Sequence, residues 1–344
     1  MLWLLLAAWA DDAPARRFSV LPLPTIDVAP ETGLAVGGVV LVTGHPFVDT
    51  RPSTFELEAT ITTRRQLILT TDWNVYTPND RFLITGGFDL LRYPEDYWGI
   101  GSVTPESARE RYSADRVEVD LAVLMRAIPS LYVGPVWKLQ SMFRVRPDPE
   151  GELANGAVTG ADGGVSSGLG ATVVWDSREV PLRPAAGESY GSVRQLFFGR
   201  GTGSQFAFVR HEVDGRVYVG IGPTLLAFQG FAQLHGGDPP FRMLALLGGD
   251  TITRGYTRGR YRDKHLLAVQ SELRFPIVWR FGGVVFAGAG EVVPNLADVS
   301  VAAIRPTAGG GLRLRVDEQG TNLRVDVAVG IDALGAYFSF GEAF

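Results

Sequence analysis

The sequence of 344 residues predicts an all-β protein folded as a transmembrane antiparallel β-barrel of sixteen strands. Apolar and polar residues alternate with a period of two along the chain, and sustained helical periodicity does not occur. Many alternating segments are long enough for a tilted membrane strand, which needs roughly 9–11 residues. No uninterrupted apolar run approaches the roughly 20 residues of a membrane helix.

The segment Val117–Arg126 illustrates the pattern, because Val117 and Val119 share one face whereas Glu118 and Asp120 share the other. Segments 55–62, 312–317 and 323–332 alternate in the same way. A soluble sandwich would place these charges in bulk water, whereas a barrel places them in a wet lumen and the apolar face in lipid. Long strands, connections that alternate between tight and long, and a chain that ends on a strand favour the barrel.

Sixteen strands, an even number, keep both chain ends on one side of the membrane. The predicted strands are 18–29, 33–43, 52–62, 66–76, 81–92, 111–127, 131–144, 165–176, 189–200, 203–213, 215–232, 264–275, 282–293, 307–317, 321–332 and 334–344. Pro30-Glu31-Thr32-Gly33 predicts a tight turn, and Asp214-Gly215 predicts a two-residue hairpin. Long connections are expected near 93–110, 145–164 and 233–263. Pro147–Gly164 is rich in Gly, Asp and Pro, which indicates a flexible extracellular loop.

The composition excludes several classes of protein. The chain has no cysteine, which removes disulfides and thiolate metal sites. Its net charge is −5, whereas a nucleic-acid-binding protein usually shows basic clustering, so no nucleic acid is expected as a partner. Hydrophobic residues make up 46% of the chain, so the protein either buries a very large core or exposes apolar surface to lipid.

The N-terminus is predicted to be a short export signal. An apolar run ends in Ala8-Trp9-Ala10, which fits the small-x-small pattern before a cleavage site. The run is shorter than the usual ~15–30 residues and has no basic start, so a stray hydrophobic N-terminus is the alternative. We expect a signal peptide at 1–10, a linker at 11–17 and the barrel domain at 18–344.

One predicted loop, from Leu247 to Asp263, combines glycines with a dense set of arginines. Gly248-Gly249 lets the backbone fold tightly. Arg254-Gly255-Tyr256 places a planar cation with five donors beside a permissive glycine and an aromatic ring. The simpler interpretation is a basic surface loop that binds anionic sugars or lipid headgroups.

In these residues the chain resembles the BamA/TamA superfamily of outer-membrane assembly and translocation barrels. That family carries a Gly-Gly…(Val/Ile)-x-Arg-Gly-(Phe/Tyr) signature on an extracellular loop that folds into the lumen, and Ile252, Arg254, Gly255 and Tyr256 match it. Further matches are Glu272–Pro276, Asp176 and Arg178 with Pro184 and Gly187, Arg305–Arg313, and the closing segment Phe338–Phe344. The resemblance implies a bacterial outer-membrane location, contact with outer-membrane lipid and lipopolysaccharide, and periplasmic or outer-membrane proteins as clients.

A lumen partner for Arg254 follows from the alternation in Leu267–Phe275. Glu272 shares a face with Gln270 and Arg274, opposite the apolar residues, and therefore points into the lumen. A carboxylate facing an arginine there would form a charge-assisted, bidentate pair. We predict that Arg254 pairs with Glu272 and locks the loop inside the barrel; the alternative is an Arg254 solvated above the rim.

The chain departs from the family in two respects. Family members usually supply a second acid for this arginine in an Asp-x-Gly on the next strand, but here Gly288 stands at that position and Glu291 is displaced. The lock is therefore expected to be weaker or differently partnered. Family members usually also carry periplasmic POTRA domains, which can capture clients by strand addition. The sequence has no room for one, so we expect a barrel-only member whose client capture is absent or delegated.

The two chain ends carry further signals. The closing aromatics, with Phe344 last, resemble the signal by which barrels are recognised for insertion, and an ordinary aromatic girdle is the alternative. Pro22 and Pro24 in the first strand lack ladder donors, so the seam between the first and last strands is expected to be poorly hydrogen-bonded. In the family, that seam is proposed as a lateral gate.

No catalytic site, metal site or cofactor is predicted. The four histidines lack metal-ligand spacing and no Gly-x-Ser-x-Gly elbow occurs, although His235 or His265 could serve in a Ser/His/Asp set at the barrel rim. Three functions stay open: assembly or translocation of proteins, a loop-gated channel for small solutes, and a structural surface antigen.

Overall fold

The computed structural model describes residues 18–29, 33–47, 50–63, 66–316 and 321–344. Its main feature is one sheet of sixteen antiparallel strands, in which each strand pairs with the next strand of that sheet along the chain, and this confirms the predicted fold class. The predicted signal peptide, the linker and three residues of the first predicted turn (30–32) lie outside the described residues.

Alternating residues form these strands because a pleated strand sends successive side chains to opposite faces. The large sheet contains β1 (Phe18–Ala29), β2 (Gly33–Gly44), β3 (Ser53–Thr62), β4 (Leu67–Tyr76), β5 (Phe82–Tyr97), β6 (Glu110–Ile128), β7 (Leu131–Arg146), β8 (Gly164–Asp176), β9 (Ser189–Phe198), β10 (Phe208–Ile221), β11 (Thr224–Gly237), β14 (His265–Val278), β15 (Phe281–Val293), β16 (Arg305–Arg315), β17 (Asn322–Gly330) and β18 (Ala333–Phe340). A separate hairpin consists of β12 (Ala245–Leu247) and β13 (Tyr261–Asp263).

Short 3-10 turns interrupt the connections. They are Pro78–Asp80, Glu106–Ala108, Glu152–Asn155, Arg200–Thr202, Leu296–Asp298 and Val301–Ala303. No helix within the described ranges is both long and apolar enough to cross a bilayer.

The two faces of the sheet have opposite character. On β14, Val269 is 63% exposed on the outer face, whereas Glu272 on the inner face is fully buried. The inner face curves onto itself, because Arg194 of β9 reaches Asp120 of β6 at 2.8 Å. Charged inner side chains therefore face one another across a lumen. In the described part of the chain, β1 and β18 are the two ends of the sheet and no strand pairing joins them.

The predicted hairpin at Asp214-Gly215 is wrong, and so are the predicted strands 203–213 and 215–232. One strand, β10, runs through this dipeptide, and the turn to β11 lies at residues 222 and 223, where Gly222 has φ +59°. Asp214 is an inner-face residue whose carboxylate accepts hydrogen bonds from Arg216 at 2.6 Å and from Gln229 at 2.9 Å. Lumen ion pairing therefore accounts for an aspartate that the local sequence presents as a turn residue.

Two other expectations also differ from the structure. The connection from β7 to β8, expected as a flexible loop, packs Leu153 and Val158 into an apolar cluster with Phe241. The chain was expected to end on a strand, but β18 ends at Phe340 and the backbone turns away at Gly341, which has φ +71°. A positive φ costs glycine little, so the last residues leave the sheet there.

Candidate functional site

The connection from β11 to β14, residues 238–264, is called here the Arg254 loop. Its fold depends on Gly248 and Gly249, which have φ +101° and +128°. The Gly248 amide donates to the Thr253 hydroxyl at 2.9 Å, and the Gly249 amide donates to the Tyr256 carbonyl at 3.0 Å. These bonds fold the backbone into a compact turn that presents the side chain of Arg254.

Arg254 lies inside the barrel, with no exposed side-chain surface. Its two terminal nitrogens bind different acids: one donates to Glu272 of β14 at 2.5 Å, and the other donates to Asp326 of β17 at 2.7 Å. The guanidinium carbon lies 3.6 Å from the ring centroid of Phe286, which adds a cation–π contact. Arginine suits this site because its planar guanidinium holds several donors in fixed directions, so that one side chain bridges two strands.

Gly255 and Tyr256 hold the same turn against the last strands. The Gly255 amide donates to the Tyr337 hydroxyl at 2.8 Å, and a Cβ at Gly255 would lie 2.9 Å from the backbone of Val329. The Tyr256 hydroxyl accepts from the amide of Ile331 at 2.8 Å. Burial raises the pKa of Tyr256 above its usual value, so this hydroxyl stays neutral.

The remaining residue of the predicted motif, Ile252, makes apolar contacts. Ile252 lies partly buried beside an apolar cluster that includes Leu247, Tyr256 and Leu266. This cluster joins the Arg254 loop to the inner face of β14. The loop is therefore held by apolar contact as well as by charge.

The acids that hold Arg254 belong to a larger network. Glu272 also accepts from Arg274 at 2.8 Å, and Asp326 also accepts from Arg313 at 2.5 Å. Glu342 lies 2.8 Å from Arg313 and 3.7 Å from Arg274. Because each acid is shared by at least two guanidinium groups, no buried carboxylate of the set is left uncompensated.

Asp326 was missed in the sequence as a partner of Arg254. The motif position for the second acid holds Gly288, where a Cβ would approach Gln270 and Val269 at 3.0 Å. Asp326 instead enters from β17, opposite Gly311, where a Cβ would lie 2.0 Å from its carboxylate. The alternation in 323–332 does place Asp326 on the inner face, so the signal was present.

Similarity to known proteins concerns the family and the fold of this chain. The family model for the Omp85 superfamily domain matches residues 132–344, which is more than half of the chain. The chain belongs to the Omp85 superfamily. No curated protein matches it. Its fold is similar to BamA from Haemophilus ducreyi lacking POTRA domains 1–3, with a TM-score of 0.56, 14% identity, and coverage of 94% of this chain and 70% of that one.

A second solved structure extends the comparison. CdiB from Acinetobacter baumannii gives a TM-score of 0.59 at 13% identity, and the match covers 94% of this chain. The chain spans 60% of the length of that protein. Membership of the Omp85 superfamily confirms the resemblance seen in the sequence and places this barrel in the bacterial outer membrane.

The lengths of the connections between strands indicate which end of this Omp85 barrel faces the periplasm. Short turns such as 129–130, 222–223 and 279–280 lie at the end where β1 begins and β18 ends, and the Arg254 loop lies at the opposite end. Outer-membrane barrels have short periplasmic turns and longer extracellular loops. The end where β1 begins is therefore called the periplasmic end, and the other the extracellular end.

Asp176 and Arg178, the other predicted motif residues, pair with each other at the periplasmic end. Arg178 donates to both carboxylate oxygens of Asp176, at 2.9 and 3.0 Å, and its guanidinium lies 4.5 Å from the Tyr190 ring centroid. Burial alone would lower the pKa of Arg178, but the hydrogen bonds and charge of Asp176 raise it. The pair folds the connection after β8 back toward the lumen.

Phe344 is turned inward and is only 3% exposed. Its ring packs with Tyr218 and Ala227, and its main-chain oxygen accepts a hydrogen bond from Arg274 at 2.8 Å. Arg274 in turn bonds Glu272, so the C-terminal residue and the Arg254 loop meet the same network. The position of Phe344 is not that of a lipid-facing aromatic girdle.

His235 and His265, the two histidines singled out in the sequence, contact each other. His235 bonds the carbonyl of Lys264 through Nδ1 at 2.7 Å, and His265 accepts from the His235 amide at 3.3 Å. Within the ranges that the structure covers, no group of three or more His, Cys, Asp or Glu could hold a metal ion.

Proposed function

We propose that this Omp85 barrel assists the assembly of outer-membrane proteins or the translocation of proteins, and that it works with the Arg254 loop locked in the lumen. One observation carries the proposal: buried Arg254 bridges Glu272 and Asp326. These acids lie on β14 and β17, so the loop braces the strands that lead to the last strand of the sheet. A brace of this kind would keep those strands ordered while the edge beyond them stays available.

The available edge is the second element of the proposal. Within the described residues, β1 and β18 each pair with another strand along one edge only, and their other edge is unpaired. An unpaired edge presents main-chain donors and acceptors that can accept another strand. Pro22 and Pro24 interrupt the donors of β1, which leaves the regular edge of β18 as the more suitable template. An incoming client strand would add there.

A loop-gated channel for small solutes is the second candidate. A cavity of about 440 Å³ lies in the lumen among charged side chains that include Asp72, Asp120 and Arg194. At the extracellular end, however, Tyr97, Tyr112 and Phe241 form an apolar cluster across the connections. Solute passage would require this cluster and the Arg254 loop to move.

Depletion of the protein in its own host tests the proposal. We expect specific outer-membrane or surface-exposed proteins to decrease, measured by quantitative proteomics of outer-membrane fractions and culture medium. The parent chain should restore them, whereas Arg254→Ala should not. Asp332→Asn is the control, because Asp332 is exposed in the β17–β18 turn and forms no ion pair within the described part of the chain.

Conductance distinguishes the two candidates. If the protein assists assembly, Arg254→Ala in planar bilayers should leave conductance low while client levels fall. A large, steady conductance after Arg254→Ala, with an unchanged outer-membrane proteome on depletion, would support the channel. An unchanged proteome with no conductance would contradict both and favour a structural surface antigen.

A further inference from the structure

Arginines cluster on the outer, lipid-facing side of β5, β6 and β7, far from the lumen. Strand pairing aligns the residues of this surface in rows. The row Leu90, Val117 and Ser141 belongs to the band that faces lipid. The next row toward the extracellular end is Arg92, Asp115 and Phe143, and the row after it contains Ser113 and Arg146. The surface thus changes from apolar to charged within a two-residue step, about 7 Å along a strand.

A β-bulge turns two of these arginines outward. The pairing of β6 with β7 shifts between Ser113 and Asp115, so that β7 has one extra residue there. Arg144 lies in this bulge with φ +53°, and Arg146 continues opposite Ser113. Strict alternation from outward-facing Phe143 would have sent both arginines into the lumen. Bulges commonly re-aim side chains, and this one places both guanidinium groups on the lipid side.

The cluster has more positive than negative charge. Asp115 is shared by Arg92 at 2.7 Å and Arg144 at 3.0 Å, whose side chains remain 56% and 61% exposed. Arg111 pairs with Asp96 at 3.3 Å. Arg146 forms no ion pair with any residue that the structure describes. The four guanidinium groups of the cluster therefore face two carboxylates, one of which, Asp96, also binds Arg109 at 2.6 Å, on a chain whose overall net charge is −5.

The shape of the surface fits a ligand with an anionic head and apolar chains. A cavity of about 520 Å³ lies among Arg92, Arg111, Arg144 and Arg146. Directly beside it, toward the membrane centre, Phe143 is 37% exposed on the outer face. Exposed arginines with free donors bind phosphate oxygens in a forked geometry. Because the cluster lies at the extracellular end, an amphiphile that reaches it must come from the outer leaflet.

We propose that this arginine cluster binds the phosphorylated glycolipid of the outer leaflet, lipid A, through its phosphate groups, with the acyl chains lying along the apolar band of β5–β7. The site is independent of the proposed role in assembly. It depends only on the outer-membrane location and on the outward direction of the bulge. Arg146, which is in no ion pair among the described residues, and the exposed Arg144 supply the phosphate-binding donors, and Arg92 and Arg111 supply additional charge.

Binding of lipid A to the purified full chain in detergent tests this site. Native mass spectrometry would measure three ligands in parallel: bisphosphorylated lipid A, the same lipid with both phosphates removed, and inorganic pyrophosphate. The test variant is Arg144→Asn with Arg146→Gln, since asparagine tolerates the positive φ of the bulge. The control is Arg81→Gln with Arg126→Gln, exposed arginines at the periplasmic end of β5 and β6.

We expect the parent and the control to retain bisphosphorylated lipid A, and the test variant to bind it at least about tenfold more weakly. Asp115→Asn should bind at least as tightly as the parent, because it removes a competing carboxylate. A purely structural role for the cluster predicts the opposite, with Asp115→Asn losing lipid as the arginine variant does. Equal binding of the dephosphorylated lipid, or arginine-dependent binding of pyrophosphate as tight as that of lipid A, would overturn the proposal. A heat-dependent shift in electrophoretic mobility verifies that each variant is folded.

Discussion

Arg254 and Asp326 lie 72 residues apart in the sequence, yet their side chains meet at 2.7 Å with no exposed surface on either. Removing one member of a buried pair leaves the other as an uncompensated charge. We expect Asp326→Asn to lower the free energy of unfolding by about 3 kcal/mol, because Arg254 and Arg313 both lose a charged acceptor. Urea unfolding in detergent, followed by tryptophan fluorescence, measures the difference.

Asp332→Asn is the matched control for this prediction. Asp332 follows the same strand, but it is exposed and has φ +53°, a conformation that asparagine tolerates. Its free energy of unfolding should stay within about 0.5 kcal/mol of the parent, as for most surface substitutions. Equal stability of the two variants would show that Asp326 does not hold the Arg254 loop.

Gly330 gives a test of the loop position that leaves every charge in place. A Cβ at Gly330 would lie 2.4 Å from the ring of Tyr256, so the ring packs directly on the backbone of β17. We expect Gly330→Ala to displace Tyr256 and to lower stability by about 1–3 kcal/mol through overpacking. Gly230→Ala is the control, because a Cβ there meets open space on the outer face. Faster proteolysis within residues 238–264 in the Gly330 variant alone would report the displaced loop.

The sequence predicts the barrel well because every strand must alternate apolar side chains, which face lipid, with polar side chains, which face the lumen. Alternation in 267–275 alone places Glu272 in the lumen, where the structure has it fully buried. The same rule places Asp326, but choosing it as the partner of Arg254 requires knowing how far the loop reaches toward β17. That distance depends on barrel curvature and on the packing of Tyr256 against Gly330, neither of which is encoded locally.

Turns were less predictable than strands for a related physical reason. Asp-Gly is a strong local hairpin signal, yet here Asp214 pairs with Arg216 inside the lumen and the strand continues. Asp214 also accepts from Gln229 of the neighbouring strand β11 at 2.9 Å, so contacts that exist only in the folded sheet override a local preference. In contrast, the true turn at Gly222 follows from backbone sterics, because a positive φ disfavours residues with a side chain.

Glycine substitutions can verify the position of this hairpin. Gly222→Ala should destabilise the protein by about 1–2 kcal/mol, because the left-handed backbone conformation at φ +59° is unfavourable for alanine. Gly215→Ala should have no such cost, since Gly215 lies within β10 and a Cβ there meets nothing nearby. If Gly215→Ala were the more harmful substitution in urea unfolding, the hairpin would belong at Asp214-Gly215 after all.

Phe344 combines two roles that can be separated by experiment, a predicted signal before folding and an inward-packed residue after it. The residue is 3% exposed, so Phe344→Ala should lower the free energy of unfolding by about 3 kcal/mol in protein refolded in detergent, where no insertion machinery acts. Phe338→Ala is the control, because Phe338 is 55% exposed on the outer face and should cost far less. If the insertion machinery also recognises the aromatic C-terminus, Phe344→Ala should lower the amount of folded barrel in the outer membrane of cells. The decrease should then be larger than the loss of stability in detergent explains. A Phe344→Ala chain with parental stability in detergent would contradict the packing role, because a ring enclosed by Tyr218 and Ala227 cannot be removed without cost.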